Sequence, residues 1–312
     1  MPTALVTGAA GFIGSHIAET LLERGDTVHG IDNLSTGRQQ NLRTLEEYEG
    51  FTFHEADIRD SGTIEKIADT ADTVFHQAAV ASVQKSIDDP AATTDINCTG
   101  TATVLDAARR AGVETAVVAS SSAVYGSEVN PPLSEIEQTN PESPYALSKR
   151  YTEDLTRQYG EFYDIDTVAL RYFNVFGSRQ DPNGEYAAVI PAFIGRLLDG
   201  KRPIIYGDGE QTRDFIHVDD IVQANLEAAA SDRSGIICNI GCGGRITINE
   251  LADTLNSVLG TELDPLYEDP RPGDIRHSHS DISKARELLD YEPTIEFKTG
   301  LERTIEYYRE VL

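Results

Sequence analysis

A tyrosine and a lysine four residues apart, Tyr145 and Lys149, are the first side chains in this sequence that could do chemistry together. Four residues are close to one helical turn, so a helix would point the phenol and the ammonium the same way. A free tyrosine has a pKa near 10, and acting as a base near neutral pH needs a downward shift of about 3 units, or roughly 4 kcal/mol. A neighbouring ammonium favours that shift. The pair therefore predicts a tyrosine that acts as general acid and base.

Three glycines near the start of the chain, Gly8, Gly11 and Gly14, lie between a strand-like run and an amphipathic helical stretch. In this position they suit a tight turn, a close approach of the backbone to a phosphate and close helix packing. The positive end of the following helix favours a pyrophosphate. The spacing is one residue longer at the front than in the common dehydrogenase motif. These glycines predict a dinucleotide site.

An aspartate follows the second apolar run. Asp32 lies 18 residues after Gly14, at the end of that run. A carboxylate there can accept hydrogen bonds from an adenosine ribose and repels a 2′-phosphate, which favours NAD over NADP. Arg38 is close enough in sequence to keep NADP as an alternative. Asp57 and Ile58 follow the third run and are expected to flank the adenine.

Short apolar runs alternate with amphipathic helical stretches through the first half of the chain. The predicted strands cover 4–7, 27–31, 51–54, 73–76, 115–119 and 167–170, and the predicted helices cover 13–24, 61–68, 94–111 and 145–163. This alternation is typical of an α/β fold in which helices cover both faces of a parallel sheet. The sequence therefore predicts a Rossmann-type, doubly wound parallel sheet.

The pattern changes after about Asn174, where Gly, Pro and charged residues become denser. The helices predicted there are separated by irregular loops and cover 189–198, 247–259 and 283–289. We expect an NAD-binding Rossmann domain at 1–174 and a smaller C-terminal α/β domain at 175–312 that binds a nucleotide sugar. The segment 214–240 is expected to return to the first domain, because 236–240 has the composition of a strand.

Acidic residues outnumber basic ones by 52 to 26, which gives a net charge of −26. The acids are spread along the chain, and only six of the basic residues are lysines. Such a surface stays hydrated in concentrated salt, so the composition resembles that of cytoplasmic proteins from salt-loving microbes. An ordinary acidic protein is the alternative. In either case the charge disfavours nucleic acid and anionic membranes as partners.

Neither export nor metal binding is indicated. The sequence has no apolar run near the roughly 18 residues that span a bilayer, and Met1 leads into a strand-like run without a basic segment. We therefore expect a cytoplasmic protein. Cys98, Cys238 and Cys242 are too few and too scattered for a disulfide framework or a zinc site, so we expect small buried thiols and no metal.

Further motifs stand in a fixed order along the chain, at 7–16, 32–37, 76–79, 171–177, 207–215 and 271–274. Together with the tyrosine–lysine pair, they resemble the NAD-dependent nucleotide-sugar epimerase/dehydratase branch of the extended short-chain dehydrogenase/reductase family. Within that branch the chain is most similar to the UDP-glucose 4-epimerases. The resemblance covers essentially the whole chain.

The resemblance implies a role for individual residues. The residues implied to bind NAD are Gly8, Gly11, Phe12, Ile13, Gly14, Asp32, Asn33, Ser35, Thr36, Gly37, Asp57, Ile58, Ala78, Ala79, Asn97, Ser120, Tyr145, Lys149 and Tyr172. The residues implied to bind the UDP-sugar are Ser121, Ser122, Tyr145, Asn174, Val189, Arg213, Arg271, Asp274 and Ser278. The two arginines suit a diphosphate, because a guanidinium fork matches its oxygens.

The resemblance also implies a reaction. Tyr145, Lys149 and a serine would interconvert UDP-glucose and UDP-galactose by transient NAD-dependent oxidation at C4 of the sugar. Counting back four residues from Tyr125 places the catalytic serine at Ser121, whereas counting forward from the strand places it at Ser122. We prefer Ser121. The resemblance further implies a homodimer in which the helices at 94–111 and 145–163 pair as a four-helix bundle.

Other activities remain as alternatives. Similar 4,6-dehydratases carry Asp-Glu, and decarboxylases a glutamate, where this chain has Ser122 and Ala123, so both activities are disfavoured. A 4-epimerase of UDP-N-acetylglucosamine or UDP-glucuronate stays open. A non-catalytic NAD-binding protein is disfavoured, because such proteins typically lack the tyrosine–lysine pair.

The charge balance predicts that full stability requires molar salt. The 26 uncompensated negative charges repel one another, and the screening length falls to about 3 Å only near 1 M salt. The melting temperature should therefore rise when sodium chloride is increased from low to molar concentration. A melting temperature that is equal at both concentrations would rule out this prediction.

Overall fold

A computed structural model describes residues 1–182, 188–270 and 275–311. The strands are β1 (Thr3–Thr7), β2 (Thr27–Asp32), β3 (Phe51–Glu55), β4 (Thr73–His76), β5 (Thr115–Ser121), β6 (Asp166–Tyr172), β7 (Asn174–Phe176), β8 (Ile204–Tyr206), β9 (Thr212–Arg213), β10 (Phe215–His217), β11 (Ile236–Ile240), β12 (Ile246–Thr247) and β13 (Leu266–Glu268).

The helices are α1 (Phe12–Glu23), α2 (Gln39–Leu45), α3 (Ser61–Ala68), α4 (Val83–Asp88), α5 (Pro90–Thr94), α6 (Gly100–Ala111), α7 (Pro144–Phe162), α8 (Val189–Leu198), α9 (Val218–Ala230), α10 (Ile248–Leu259), α11 (Ser283–Leu289) and α12 (Phe297–Val311). A π-helical turn at Asp95–Thr99 joins α5 to α6, and a short 3₁₀ turn at Ser122–Tyr125 follows β5. No helix in the described ranges is both long and apolar enough to span a membrane.

Seven parallel strands form the central sheet in the order β3-β2-β1-β4-β5-β6-β11. The strand order reverses between β1 and β4, and in open α/β sheets ligands bind outside the carboxyl ends of the strands at such a switch point. The predicted Rossmann-type parallel sheet is therefore confirmed. The last strand of the sheet comes from the second half of the chain, because β11 pairs with β6.

Apolar side chains cover both faces of this sheet. On one face α1, α9 and α11 contribute Ile17, Ile221 and Leu289 to a common core. On the other face α3 and α6 contribute Ile64 and Leu105. Burial on both faces explains why the strands read as short apolar runs and not as alternating patterns.

A separate core lies in the second half of the chain. It joins α8, α10 and α12 through residues such as Phe193, Leu251 and Leu301. Three two-stranded sheets lie in the second half of the chain, pairing β7 with β10, β8 with β13 and β9 with β12. This separate core is consistent with a smaller second domain, and the boundary at residue 174 stays a prediction.

The helix predicted at 94–111 has a different form in the structure. Asp89 caps a short helix that starts at Pro90, since its carboxylate accepts a bond from the Ala92 amide, and a π-helical turn then interrupts the helical pattern. The sequence analysis did not predict α2, α4, α9 or α12. The first two have only seven and six residues, too few to show a clear helical period.

Candidate active site

A cleft of about 630 Å³ opens at the carboxyl ends of β1, β4 and β5, next to the reversal of strand order. Most of the residues predicted to bind NAD line it, namely Gly8, Gly11, Phe12, Ile13, Gly14, Asp32, Asn33, Ser35, Thr36, Asp57, Ile58, Ala78, Ala79, Ser120, Tyr145, Lys149 and Tyr172. The cleft is also lined by residues that the sequence analysis missed, Gln77, Val80, Ala81, Ser82, Lys85, Ile96 and Ala119.

The glycine turn passes so close to α1 that larger residues do not fit. A Cβ on Gly14 would lie 2.2 Å from the carbonyl oxygen of Gly8. Gly8 has a φ of +71°, a conformation that side chains disfavour. The N-cap of α1 is Gly11, so no capping side chain covers the first amides of the helix. These features fit a pyrophosphate at the helix N-terminus.

Asp32 holds its carboxylate at the end of β2. Its two oxygens accept bonds from the backbone amides of Ala10, at 3.1 Å, and Leu34, at 2.8 Å. Arg38 is paired instead with Asp181, at 2.5 Å, and does not line the cleft. The Arg38 guanidinium, which could have bound the 2′-phosphate of NADP, is therefore paired with Asp181. The arrangement favours a free ribose 2′-hydroxyl next to Asp32.

Asp57 forms the far end of the cleft. Arg59 donates two side-chain bonds to it, at 2.8 and 2.7 Å, and Asn33 donates a third at 3.1 Å. The hydrogen bonds from Arg59 hold the pKa of the Asp57 carboxyl well below its usual range. This carboxylate is therefore ionised and fixed in place where the adenine end of a dinucleotide is expected.

Two residues predicted to bind NAD do not line the cleft. Asn97 instead holds the loop at Val80, because its side-chain oxygen accepts from the Val80 amide at 2.8 Å and its amide donates to the Val80 carbonyl at 3.1 Å. It also donates to Ser148 at 2.9 Å. A Cβ on Gly37 would lie 2.7 Å from a carboxylate oxygen of Asp32. Both residues are thus placed to shape the wall of the cleft.

The phenol of Tyr145 lies next to the end of β5. Ser143 caps α7 and places Tyr145 in its first turn. The side chain of Ser121 acts on the phenol of Tyr145 in the direction that lowers its pKa. Ser122 lies in the 3₁₀ turn that follows β5. Ser121 caps this turn, because its hydroxyl accepts a hydrogen bond from the backbone amide of Ala123 at 3.2 Å. Of the two candidate serines, Ser121 is the one whose side chain affects the pKa of the tyrosine.

Burial changes the proton affinities of both groups. It raises the pKa of Tyr145, and the hydrogen bond with Ser121 opposes this rise. The rise is opposite to the shift that a tyrosine base requires, so in the protein alone the phenol holds its proton near neutral pH. Burial also lowers the pKa of Lys149 to about 8, against the opposing charge of Glu153. Lys149 is therefore mostly charged at pH 7 and donates to the Ala119 carbonyl at 2.8 Å.

A buried ion pair supports this end of the sheet. Glu153, one turn beyond Lys149 on α7, accepts two bonds from Arg171, at 2.7 and 2.8 Å, and one from Ser120 at 2.6 Å. Arg171 also donates to Tyr125 at 2.8 Å. The sequence analysis missed Glu153, although its position four residues after Lys149 indicated that both lie on one helix face.

Of the residues predicted to bind the sugar nucleotide, Tyr145 lines this cleft, whereas Asn174, Val189, Arg213 and Ser278 lie outside it. The backbone amide of Asn174 donates to the Asp214 carbonyl at 3.0 Å, directly beside Arg213 in sequence. The amide of Ser278 donates to the Thr212 carbonyl at 3.1 Å. The predicted residue Val189 begins α8 and packs on the core of the second half. The predicted residues Arg271 and Asp274 lie outside the described residues.

Comparisons with known proteins show the family of this chain. A sequence model of the NAD-dependent epimerase/dehydratase family matches residues 4–241. UDP-glucose 4-epimerase of Mycolicibacterium smegmatis is 40% identical over 98% of this chain and 98% of its own length. A structure of UDP-N-acetylglucosamine 4-epimerase from Methanobrevibacter ruminantium in complex with UDP-N-acetylmuramic acid has a TM-score of 0.96 and 42% identity, over 100% of this chain and 99% of that one. A structure of UDP-glucose 4-epimerase from Thermotoga maritima with UDP-glucose has a TM-score of 0.94 and 39% identity, over 99% of each chain.

The glycine turn yields a prediction for Gly14→Ala. The added methyl group must displace the Gly8 carbonyl, and overpacking of this kind costs about 1–3 kcal/mol, which corresponds to about tenfold weaker NAD binding or more. Titration calorimetry with NAD on the cofactor-free protein measures the change. Gly195→Ala is the matched control, because it is also a helical glycine and its nearest contact would lie at 3.9 Å. Equal NAD affinity in both variants would contradict this prediction.

Proposed function

Because the chain belongs to the NAD-dependent epimerase/dehydratase family, we propose that it is a UDP-sugar 4-epimerase that interconverts UDP-glucose and UDP-galactose. The observation that carries the proposal is that Tyr145 and Lys149, one turn apart on α7, both line the dinucleotide cleft, with Ser121 at the end of β5. This is the arrangement needed to move a proton at a sugar hydroxyl. Relatives that match over nearly their whole length and carry the name UDP-glucose 4-epimerase support the choice of sugar.

The chain's own residues divide the work at C4 of the sugar. The glycine turn and Asp32 would hold NAD, which when bound would supply the hydride acceptor and donor for this reaction. Tyr145 exchanges the proton of the sugar 4-hydroxyl at its phenol oxygen. Ser121 can hydrogen-bond the same oxygen, and the Lys149 charge favours the phenolate. Burial raises the pKa of Tyr145. The Lys149 charge and the hydrogen bond with Ser121 must therefore lower this pKa for catalysis.

The elements around Ser121 disfavour dehydration and decarboxylation. These reactions need an additional acid or base beside the sugar, whereas Ser122 and Ala123 occupy the turn after β5. Glu153 is the carboxylate one helical turn beyond Lys149. It is fully buried and accepts hydrogen bonds from Arg171 and Ser120. It does not line the cleft, so it is not placed to exchange a proton with a sugar there. Epimerisation needs only the groups that the site presents.

The sugar pocket is proposed to accept N-acetylated sugars as well. Ser278 is small and buried. Its backbone amide donates to the Thr212 carbonyl at 3.1 Å, which holds the segment around Ser278 against β9. The neighbouring ring of His277 is hydrogen-bonded to Thr212 at 3.0 Å. The bond of His277 to Thr212 supports the proposal that the small serine, and not this histidine, forms the wall of the sugar pocket. The UDP-N-acetylglucosamine 4-epimerase with 42% identity supports this breadth.

A homodimer completes the proposal. On the predicted pairing helix α7, large apolar side chains are exposed, with Leu147 at 62%, Tyr151 at 44% and Phe162 at 69%. Exposed apolar surface on a single helix is typical of a contact with another chain. A second copy that covers α6 and α7 would bury these side chains.

The proposed mechanism predicts that Tyr145→Phe abolishes epimerisation and leaves NAD bound. Loss of a general acid and base lowers kcat by about 100-fold or more, whereas the ring that lines the cleft is retained. Turnover of UDP-glucose and the NAD content of the purified protein measure the two effects. Tyr151→Phe on the exposed side of the same helix is the control. A near wild-type rate for Tyr145→Phe would contradict the assignment of Tyr145 as the general acid and base.

The choice between the two serines is part of the same experiment. Ser121→Ala should lower kcat strongly, because it removes the partner of the phenol, and Ser122→Ala should lower it only slightly. The opposite order of effects would transfer the catalytic role to Ser122.

The size of the sugar pocket is tested with Ser278→Tyr. A tyrosine leaves no room for an acetamido group beside the sugar C2, so turnover of UDP-N-acetylglucosamine should fall while turnover of UDP-glucose is spared. Product analysis with both substrates measures the ratio. Ser278→Ala is the control, since alanine is also small and leaves the volume of the pocket nearly unchanged. If the wild-type protein has no activity on UDP-N-acetylglucosamine, the hypothesis that Ser278 leaves room for an acetamido group is wrong.

A further inference from the structure

Asp214 is a buried carboxylate that lies beside the proposed diphosphate ligand Arg213. Its side chain is 1% exposed. One oxygen accepts from the Cys242 amide at 2.9 Å. The other accepts from the amides of Gly243, at 3.1 Å, and Ser280, at 3.0 Å, and from the Ser280 hydroxyl at 2.5 Å. Four donors point at this group, which fits an ionised carboxylate that has no proton to donate.

These bonds join three segments that are distant in sequence. The first runs through β9 and β10 and carries Arg213, the second is the turn after β11, and the third is the segment 276–280 that carries Ser278. The backbone carbonyl of Asp214 also accepts from the Asn174 amide at 3.0 Å. Three proposed ligands of the sugar nucleotide, Asn174, Arg213 and Ser278, therefore lie on segments that meet at one residue, Asp214.

The turn after β11 is shaped around this carboxylate. A Cβ on Gly241 would lie 2.6 Å from the Asp214 oxygen and 2.4 Å from the Ser280 hydroxyl. The close approach thus requires a glycine at 241. A carboxylate that satisfies backbone amides from two loops fixes the distance between them, because each lost bond leaves a buried group unsatisfied.

We propose that Asp214 is a positioning residue for the UDP-sugar site, which sets Arg213 and Ser278 at the spacing that the diphosphate and the sugar require. This inference rests on the proposed function. Asp214 does not touch the substrate. It acts through the two segments that it binds, so its loss should weaken binding of the nucleotide half equally in the ground state and in the transition state.

A second buried aspartate offers a matched control. Asp220, at the start of α9, is also 1% exposed. Its oxygens accept from the amide and hydroxyl of Thr294, at 2.8 and 3.1 Å, and from the Ile295 amide at 3.2 Å. It carries a similar set of bonds, but the segment it holds contains no proposed substrate ligand. Asp220→Asn therefore measures the general cost of disturbing a buried carboxylate.

The experiment compares Asp214→Asn with Asp220→Asn. In either orientation the amide of an asparagine at 214 faces at least one backbone N–H with its own NH₂ group. We expect Asp214→Asn to raise the Kd for UDP and the KM for UDP-glucose by about tenfold, with kcat within about threefold of wild type. The NAD content should not change. Asp220→Asn should lower the melting temperature similarly and leave the Kd for UDP unchanged.

Milder variants cover the case in which Asp214→Asn fails to fold. Ser280→Ala removes one donor to Asp214, and Thr294→Ala removes the corresponding donor to Asp220. Only Ser280→Ala should weaken UDP binding. If the wild type binds UDP and the variants at 214 and 280 bind it equally well, the positioning role is overturned while the proposed function stands. A wild type that does not bind UDP overturns both.

Discussion

The buried ammonium of Lys149 constrains how this end of the sheet is built. A charge removed from water is costly unless it is paired and hydrogen-bonded. Lys149 donates to the carbonyl of Ala119 and lies one helical turn before Glu153, which is itself tied to Arg171 and Ser120. These bonds join α7 to the ends of β5 and β6. Tyr145 on α7 and Ser121 at the end of β5 are therefore carried by elements that the charge network holds in place.

The two halves of the site are built by different means. The dinucleotide half depends on close backbone packing, in which Gly14 lies against the Gly8 carbonyl and the first amides of α1 stay uncovered. The proposed nucleotide-sugar half consists of short strands and turns that are joined by side-chain bonds, above all those of Asp214. The parallel sheet alone cannot fix the second half, because Asn174, Arg213 and Ser278 lie beyond the ends of its strands.

Local patterns in the sequence were enough to predict the central sheet and most residues that line the cleft. Buried parallel strands give continuous apolar runs. Gly8 follows β1 and Asp32 ends β2, and Tyr145 and Lys149 lie in the first two turns of α7. The Glu153–Arg171 pair could not be found in this way, since its partners come from different elements. The upward shift in the pKa of Tyr145 depends on burial, which becomes visible only in the folded chain. The bonds of Asp214 likewise depend on long-range contacts, with partners 28 to 66 residues away.

The central claim is that the sugar is oxidised at C4 and reduced again within one site. The most direct test is to incubate the protein in ordinary water with UDP-glucose that carries deuterium at C4, and to analyse the sugar nucleotides by mass spectrometry and NMR. The account predicts UDP-galactose that retains the deuterium at C4, because a hydride that stays in the site does not exchange with solvent. Loss of the label to water, or the absence of any 4-epimer, would contradict it.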